Sequence, residues 1–377
     1  MTHPVPQDRD HDKRGHAPQD APLYANAALQ AFAKGLLSKA GLEDEKADCV
    51  AELLLDGDRM GHSTHGLQLL PGYLGEIEKG NMKPAGQPIV VADRPAALTW
   101  NGQYLPGLWL LRKAIAEGVA RARIHGTCTI VIRQSHHIGC LAVYPPLAAA
   151  EGMMLLLASS DPMGNSVAPH GALAGRFTPN PIAAGWPTGG NDLPVVMDIS
   201  ASTTSNGMTS RLHRLNQADG GQRRLGGQWL VDNQGNATDD PAAFFTKPPG
   251  AILPLGGMDL GHKGYALGLM VEALTSGLAG YGHADQPKHW GANVFLQIID
   301  PEAFGGREAF VRETGYLAEL CRTAPVKPGN PPVRLPGERA LKLKAQQEQG
   351  GIRLHPEIMP GLKPWAEKLG LALPQPL

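Results

Sequence analysis

Apolar residues return every three or four positions along "ANAALQAFAKGLLSKAGL", which sets Leu29, Phe32, Leu36 and Leu37 on one face of a helix that Gly41 can stop. "EDEKADCVAELLLDGDRMG" repeats the period with Ala47, Val50, Ala51 and Leu54, and carries acids in its first turn where the helix dipole favours them. A helical hairpin therefore delivers the turn "GHSTHG". After the Pro- and Gly-rich "GNMKPAGQP" the pattern changes. "IVVADRPAALTW" reads as short strands, and "LPGLWLLRKAIAEGVARARIHG" as a helix aligning Leu108, Leu111, Ile115 and Val119. "TCTIVIR" is a buried strand running into "QSHHIG", and "LAVYPPLAAAEG" a helix started or kinked by its proline pair. "MMLLLAS", "LPVVMDIS" and "NVFLQIID" are further strands. "GYALGLMVEALTSGLAG" is nearly uniformly apolar, the pattern of a buried helix, and beyond Thr323 a long connection leads to a polar helix. Alternation of helix and strand argues for an α/β core.

With 377 residues the chain can form two or three lobes, and 34 basic against 35 acidic residues leave no broad field for nucleic acid or an anionic membrane. Small-molecule chemistry is the better expectation. Cys49, Cys128, Cys140 and Cys321 form no C-x-x-C pair and read as reduced, buried apolar residues of a cytoplasmic protein. The opening "MTHPVPQDRDHDKRGHAPQDAP" lacks an apolar h-region and reads as a disordered tail; no apolar run approaches the about 20 residues of a membrane span.

Among 14 histidines, His62 and His65 lie three apart and His136 and His137 are adjacent, but neither H-E-x-x-H nor H-x-E with C-x-x-C occurs, so no metal site is expected. G-x-S-x-G, the P-loop and G-x-G-x-x-G are also missing, which leaves hydrolase, nucleotide triphosphate and Rossmann readings without support. The pair in "GHSTHG" remains open to metal binding, proton transfer or capping of a helix end.

"DRMGHSTHGLQLLPGYL", "SHHIG", "VAPHG", "PNPIA", "MDIS", "DNQGNATDDP", "LPLGG" and "GHKGYALGLMVEAL" occur in an order that resembles the malate/L-lactate dehydrogenase family of the non-Rossmann type. Relatives there include ureidoglycolate, sulfolactate and diketogulonate oxidoreductases and cyclic imino acid reductases. The resemblance runs from about Tyr24 to the C-terminus. It implies hydride transfer with NAD or NADP, a homodimer, and a three-layer α/β/α domain with a mixed sheet of non-Rossmann topology beside a helical domain. The expected division is a tail over 1–22, a helical domain over 23–95 carrying the His65 turn, an NAD(P)-binding domain over 96–322, and a segment over 323–377 packing back on the helices. His65 matches the family's S-H-G histidine, with Thr64 in place of serine, and His137 matches its S-N-H-F-G histidine; either is the proton donor and acceptor, as an imidazole with pKa near 6.5 can be. His136 stands where asparagine is usual and is expected beside the site. Substrate binding falls to Thr64, His137 and Lys263. The resemblance assigns the cofactor to Ser159, Ser160 and Asp161, to Asn180 and Pro181, to Asp198, Ser200 and Ser202, and to His262 and Lys263 at the start of a helix whose amides favour anions.

The match breaks at Leu69, where the family's H-G-x-x-R arginine grips a substrate carboxylate. Arg59 lies one place from another usual arginine, at Met60, and Lys263, Arg133 and Arg176 are alternative anchors. "RLHRLNQADGGQRRLGGQW", Arg211 to Trp229, reads as a basic loop whose Arg223 and Arg224 can meet a 2'-phosphate. A cyclic imine reductase, for which Leu69 suits an apolar ring, and a non-catalytic ligand-binding protein are the alternatives.

Overall fold

The computed structural model describes residues 17–18, 20–189 and 193–377, so most of the expected tail lies outside the described residues. After the short strand β1 (Leu23–Tyr24), helices α1 (Asn26–Lys39), α2 (Asp44–Arg59) and α3 (Leu70–Glu78) form a helical lobe. Strands β2 (Ile89–Arg94) and β3 (Ala97–Asn101) follow, then α4 (Gly107–His125), β4 (Thr127–Ser135), α5 (Pro145–Ala149) and β5 (Met154–Ser160). Next come β6 (Pro181–Trp186), β7 (Val195–Ser200), α6 (Asn206–Asp219) and a small sheet of β8 (Leu230–Val231), β9 (Ala237–Thr238) and β10 (Ala251–Ile252). Helix α7 (Gly257–Glu272), extended by a π turn at Ala273–Gly277, and β11 (Ala292–Ile299) complete the α/β part. The chain ends with α8 (Arg307–Arg322), α9 (Glu338–Gly350), β12 (Ile352–Arg353) and α10 (Ile358–Leu369).

The seven-stranded sheet has the order β2-β3-β4-β11-β5-β6-β7. Only β3 and β4 run parallel; every other neighbouring pair is antiparallel, which makes the sheet mixed. Strand alternation explains why helices cover it on two sides. Ile130, Ile132, Leu155, Leu157, Leu296 and Ile298 share a core with Leu111 and Ile115 of α4 and with the helical lobe. The intervening Val131, Leu156, Ala158 and Phe295 point the other way, against Val271 of α7 and Leu274 of its extension. Leu29, Leu36, Leu37 and Leu54 join the first core with no exposed surface, as the helical period requires. Truncating one of them to alanine costs about 2–5 kcal/mol.

Several expectations change. β2 pairs with β3 and thereby joins the large sheet, so the helical lobe ends before Ile89 and not at 95. Residues 211–219 of the expected basic loop are helical, because Ser205 caps α6 by accepting from Met208 N at 3.2 Å. The proline pair starts α5 and does not kink it. Cys321 is exposed, unlike the three other cysteines. The apolar α7 is not buried within this chain: it turns Gly261, Gly264 and Gly268 inward, where a Cβ at Gly264 would lie 2.2 Å from Leu255 N, and leaves Met258, Leu260, Leu269 and Met270 exposed. The C-terminal segment returns to the helical lobe, with α9 against α2, α10 against α1 and α3, and β12 paired to β1.

Candidate active site

Sheet topology creates the site. β11 runs antiparallel to both β4 and β5, so its first residues, Ala292 and Asn293, sit opposite the last ones of those strands, Ser135 and Ser160. β6 and β7 repeat the arrangement, with Pro181 opposite Ser200. Five chain segments thus meet at one edge of the sheet, and the turn between α2 and α3 closes over them to leave a cleft of about 620 Å³. His62, Thr64, His65, Leu69, His137, Ser159, Asp161, Asp198 and Trp290 are among its lining residues.

Backbone and carboxylate bonds hold the histidine turn. Amides of Met60, Gly61 and His62 donate to carbonyls of Asp56, Asp58 and Gly57, and Gln347 Nε2 donates to Asp58 O and Arg59 O, so main chain and Gln347 close α2 and no imidazole does. Asp58 Oδ2 accepts from Leu67 N at 2.7 Å and draws the far side of the turn back onto α2. Two glycines permit that approach: a Cβ on Gly66 would lie 2.3 Å from Asp58 Cγ, and one on Gly57 3.0 Å from the His65 carbonyl. Behind the turn the Arg211 guanidinium, 1% exposed, donates to Ser63 Oγ at 3.0 Å and to Gln68, and pairs with Glu357 at 3.4 Å. Burial raises the Asp58 carboxyl to about 7, against the Leu67 amide and the charges of Arg211 and Arg59.

The imidazoles of His65 and His137 stack with centroids 6.4 Å apart and planes 29° from parallel. Gly139 N donates to His137 Nδ1 at 3.3 Å, so that nitrogen carries no proton and the Tyr73 hydroxyl, 2.8 Å away, also donates to it. The ring proton of His137 therefore sits on Nε2, and burial holds the imidazole neutral, its pKa well below the ordinary value. His137 is a fixed hydrogen-bond donor. His65 differs, because its Nδ1 faces the Thr64 hydroxyl at 2.8 Å and a hydroxyl can donate or accept as the ring loses or gains a proton. Burial, aided by the charges of His62 and Arg211, lowers His65 to about 4. Trp290 packs on His137 with centroids 4.8 Å apart and on Tyr73 at 5.8 Å. His136 lies wholly buried between Tyr73 and Trp290 at 5.7 and 5.0 Å, outside the cleft lining, and burial lowers it to about 4.

Asp198 Oδ2 accepts from Ala142 N at 2.9 Å, and burial raises its carboxyl pKa against the charge of His62. Asp161 Oδ1 accepts from Met163 N at 3.0 Å, and burial raises this carboxyl to about 6.

Of the residues expected at the site, Thr64, His65, His137, Ser159, Ser160, Asp161, Pro181, Asp198 and Ser200 line this one cleft. Asn180 and Ser202 do not: both are buried, Asn180 bonding Gly268 O at 3.1 Å and Glu272 at 2.9 Å, and Ser202 bonding Thr204 O at 2.8 Å. Asn180 thereby ties its loop to α7. His262 and Lys263 are exposed on α7, outside the cleft of their own chain. Arg133 and Arg176 are also absent from its lining, and Arg59 bonds Asn26 at 2.8 Å and Asp56 at 2.7 Å. Arg223 and Arg224 are exposed and paired with Asp219 and Asp240, at 2.7 and 2.6 Å. Sequence reading missed the start of α6, where Ser205, Asn206, Gly207 and Ser210 line the cleft, and it missed Trp290. The signal for α6 was Ser205 ahead of Met208 and Leu212 at helical spacing. Trp290, in an irregular stretch before a strand, carries no such signal.

A family model described as malate/L-lactate dehydrogenase matches residues 24–363. The chain is 31% identical to L-lactate dehydrogenase of Cupriavidus necator over 91% of this chain and 97% of that one. It is 32% identical to Delta(1)-pyrroline-2-carboxylate/Delta(1)-piperideine-2-carboxylate reductase of Pseudomonas syringae pv. tomato, over 89% of this chain and 94% of that one. Among solved structures, malate dehydrogenase of Pyrococcus horikoshii OT3 superposes with a TM-score of 0.83 at 25% identity, covering 96% of this chain and 99% of its own.

Proposed function

We propose, from the premise that the chain belongs to the malate/L-lactate dehydrogenase family, that it is an NAD(P)-dependent oxidoreductase acting on a 2-hydroxy or 2-oxo acid or a derivative of one. The observation that carries the reading is the stacked pair His65 and His137 facing one cleft, the first with a hydroxyl partner that tolerates either protonation state, the second a fixed donor.

The cleft suits a dinucleotide. Ser205 Oγ takes the Met208 amide, which leaves the amides of Asn206 and Gly207 without a partner among the described residues, at the start of a 14-residue helix lining the cleft. Such a helix start favours a diphosphate, and Ser159, Ser160, Ser200 and Ser210 add hydroxyls for ribose or amide groups. Bound there, a nicotinamide supplies or accepts the hydride. In this reading His137 donates from Nε2 to the substrate oxygen and fixes its orientation. His65 takes the proton as an alcohol is oxidised and returns it as a carbonyl is reduced. Trp290 and Leu69 exclude water beside the imidazoles, and Thr64 follows the His65 proton. To meet a 2'-phosphate, Arg223 and Arg224 would have to give up their carboxylate partners Asp219 and Asp240.

Calorimetric titration with NADH and NADPH tests the cofactor, and His65→Ala tests the role of His65: we expect turnover to fall at least 100-fold with cofactor binding retained. Turnover within a few-fold of the parent sinks the assignment. A second reading, reduction of a cyclic imine, is favoured by the apolar side of the cleft at Leu69 and Trp290, and imines belong in the same screen. We further propose a homodimer formed through the exposed apolar side chains of α7. A cytoplasmic location belongs to the same reading, supported by four cysteines that are all free thiols; among the described residues no helix is long and apolar enough to cross a membrane.

A further inference from the structure

Arg211 follows Ser210, a lining residue of the cleft, on α6 and is 1% exposed. Its guanidinium donates to Ser63 Oγ at 3.0 Å and to Gln68, and these two residues bracket positions 64–67, which carry His65. The first turn of the same helix touches that segment too. A Cβ on Gly207 would lie 3.6 Å from Thr64 Cβ, and the Thr64 hydroxyl faces His65 Nδ1 at 2.8 Å. Thus α6 meets the histidine turn at Ser63, Thr64 and Gln68, from the helix whose start lines the cleft. A buried guanidinium is a poor choice for stability alone, because the cost of stripping its water can exceed what a partner such as Glu357, 3.4 Å away, returns. Its planar fork does reach two separate acceptors at once in a fixed geometry, which an apolar side chain cannot do and an ammonium does less rigidly.

We propose that Arg211 is a positioning residue for the proton transfer, locking the histidine turn to α6 so that His65 keeps its place in the cleft, stacked on His137. This rests on the oxidoreductase reading of the cleft and adds to it a residue outside the cleft lining. Charge is the second part of the role. His65 feels His62 from its own turn, His137 from beyond β4 and Arg211 from α6, and a fixed cation nearby disfavours the imidazolium. Arg211 itself faces Glu357, Arg214, Asp58 and His355. Burial and His62 act on His65 with or without Arg211, so removing the guanidinium undoes only part of the depression.

The test uses the full chain carrying Arg211→Met or Arg211→Lys. For Arg211→Met we expect kcat to fall about 10- to 100-fold, the effect of a misplaced group, with the cofactor's Kd close to the parent's. The His65 midpoint, read by NMR titration of its ring and assigned by the signal lost in His65→Ala, should rise by roughly half a pH unit or more, and the acid limb of kcat/KM with it. Arg211→Lys keeps the charge, so it should hold the midpoint at the parent's value while recovering part of kcat. A residue serving the fold alone would lower the melting temperature and move neither reading. Turnover per folded chain within a few-fold of the parent, or an unmoved midpoint, in Arg211→Met overturns the proposal and spares the oxidoreductase reading. If that variant does not fold, Arg211→Met with Glu357→Gln leaves no lone buried carboxylate, and the same outcomes apply to it. A parent that binds neither NADH nor NADPH removes the oxidoreductase reading, and the midpoint then decides by itself whether Arg211 governs His65.

Discussion

A histidine with a depressed pKa keeps its base form far into acid. With His65 at about 4, the neutral imidazole needed to accept a proton persists well below the ordinary 6.5. For the direction that oxidises the alcohol we therefore expect the acid limb of kcat/KM to fall near pH 4; a limb near 6.5 would show that another group takes the proton. Asp58 gives the opposite linkage. Its carboxyl moves from 3.8 to about 7 on folding, so between those values the folded chain holds a proton that the unfolded chain has lost. That stability is complete below 3.8 and is lost as pH rises through 7. Asp58→Asn removes the titration while keeping an oxygen for the Leu67 amide. Its melting temperature relative to the parent should climb between pH 4 and 7 and level off above; a constant difference would mean Asp58 does not titrate there. Both histidines stand out in the sequence because they match the motifs, and Leu69 because it breaks one. Arg211 does not, since its part depends on reaching Ser63 and Gln68 from α6, some 140 positions along the chain.

At the scale of elements, close approach decides whether the histidine turn forms. Gly66→Ala would place a Cβ 2.3 Å from the Asp58 carboxyl carbon, forcing the turn off α2. Overpacking of this kind costs about 1–3 kcal/mol. We expect the alanine variant to lose that much in urea denaturation together with most turnover, and Asp58→Ala added to it to recover part of the stability by removing the obstructing atoms; no loss on Gly66→Ala would mean the turn yields freely. Ser205→Ala at the start of α6 should cost about 1 kcal/mol in the same assay, with Ser205→Gly nearer the parent. Helical and strand periods made α1, α2, α4, β4, β5, β7 and β11 legible, because each buries one face or both against partners whose spacing is local to the element. The strand order was not legible from periodicity: it depends on β11 inserting between β4 and β5 from more than a hundred residues away, and the family resemblance supplied only the class of sheet. Of the site, the residues at strand ends were readable by motif. Asn180, Ser202, His262 and Lys263 lie outside the lining of their own chain's cleft, because a motif does not say which way a side chain turns.

For the whole molecule the apolar outer side of α7 is the feature one chain leaves without cover. Met258, Leu260, Leu269 and Met270 are 48, 50, 49 and 45% exposed, and Leu278 just beyond is 56% exposed. The inward glycines let this helix lie close to Pro254, Leu255 and Phe177 while its bulky side chains stay outside. Burying such a surface yields about 25 cal/mol for each Å² of apolar area, before the cost of association. A stable pair needs roughly 800 Å² from each partner, an area that α7 can supply only with its neighbours. Sedimentation velocity at micromolar concentration should therefore show a dimer for the parent, and Leu269→Lys with Met270→Glu should shift it to monomer with the α/β core and its circular dichroism preserved. A parent that sediments as a monomer would end the dimer proposal. If the paired variants dissociate and lose cofactor turnover together, the exposed Lys263 and His262 on the same helix become the first residues to test as contributions to the partner's cleft; if turnover survives in the monomer, each cleft is complete within one chain.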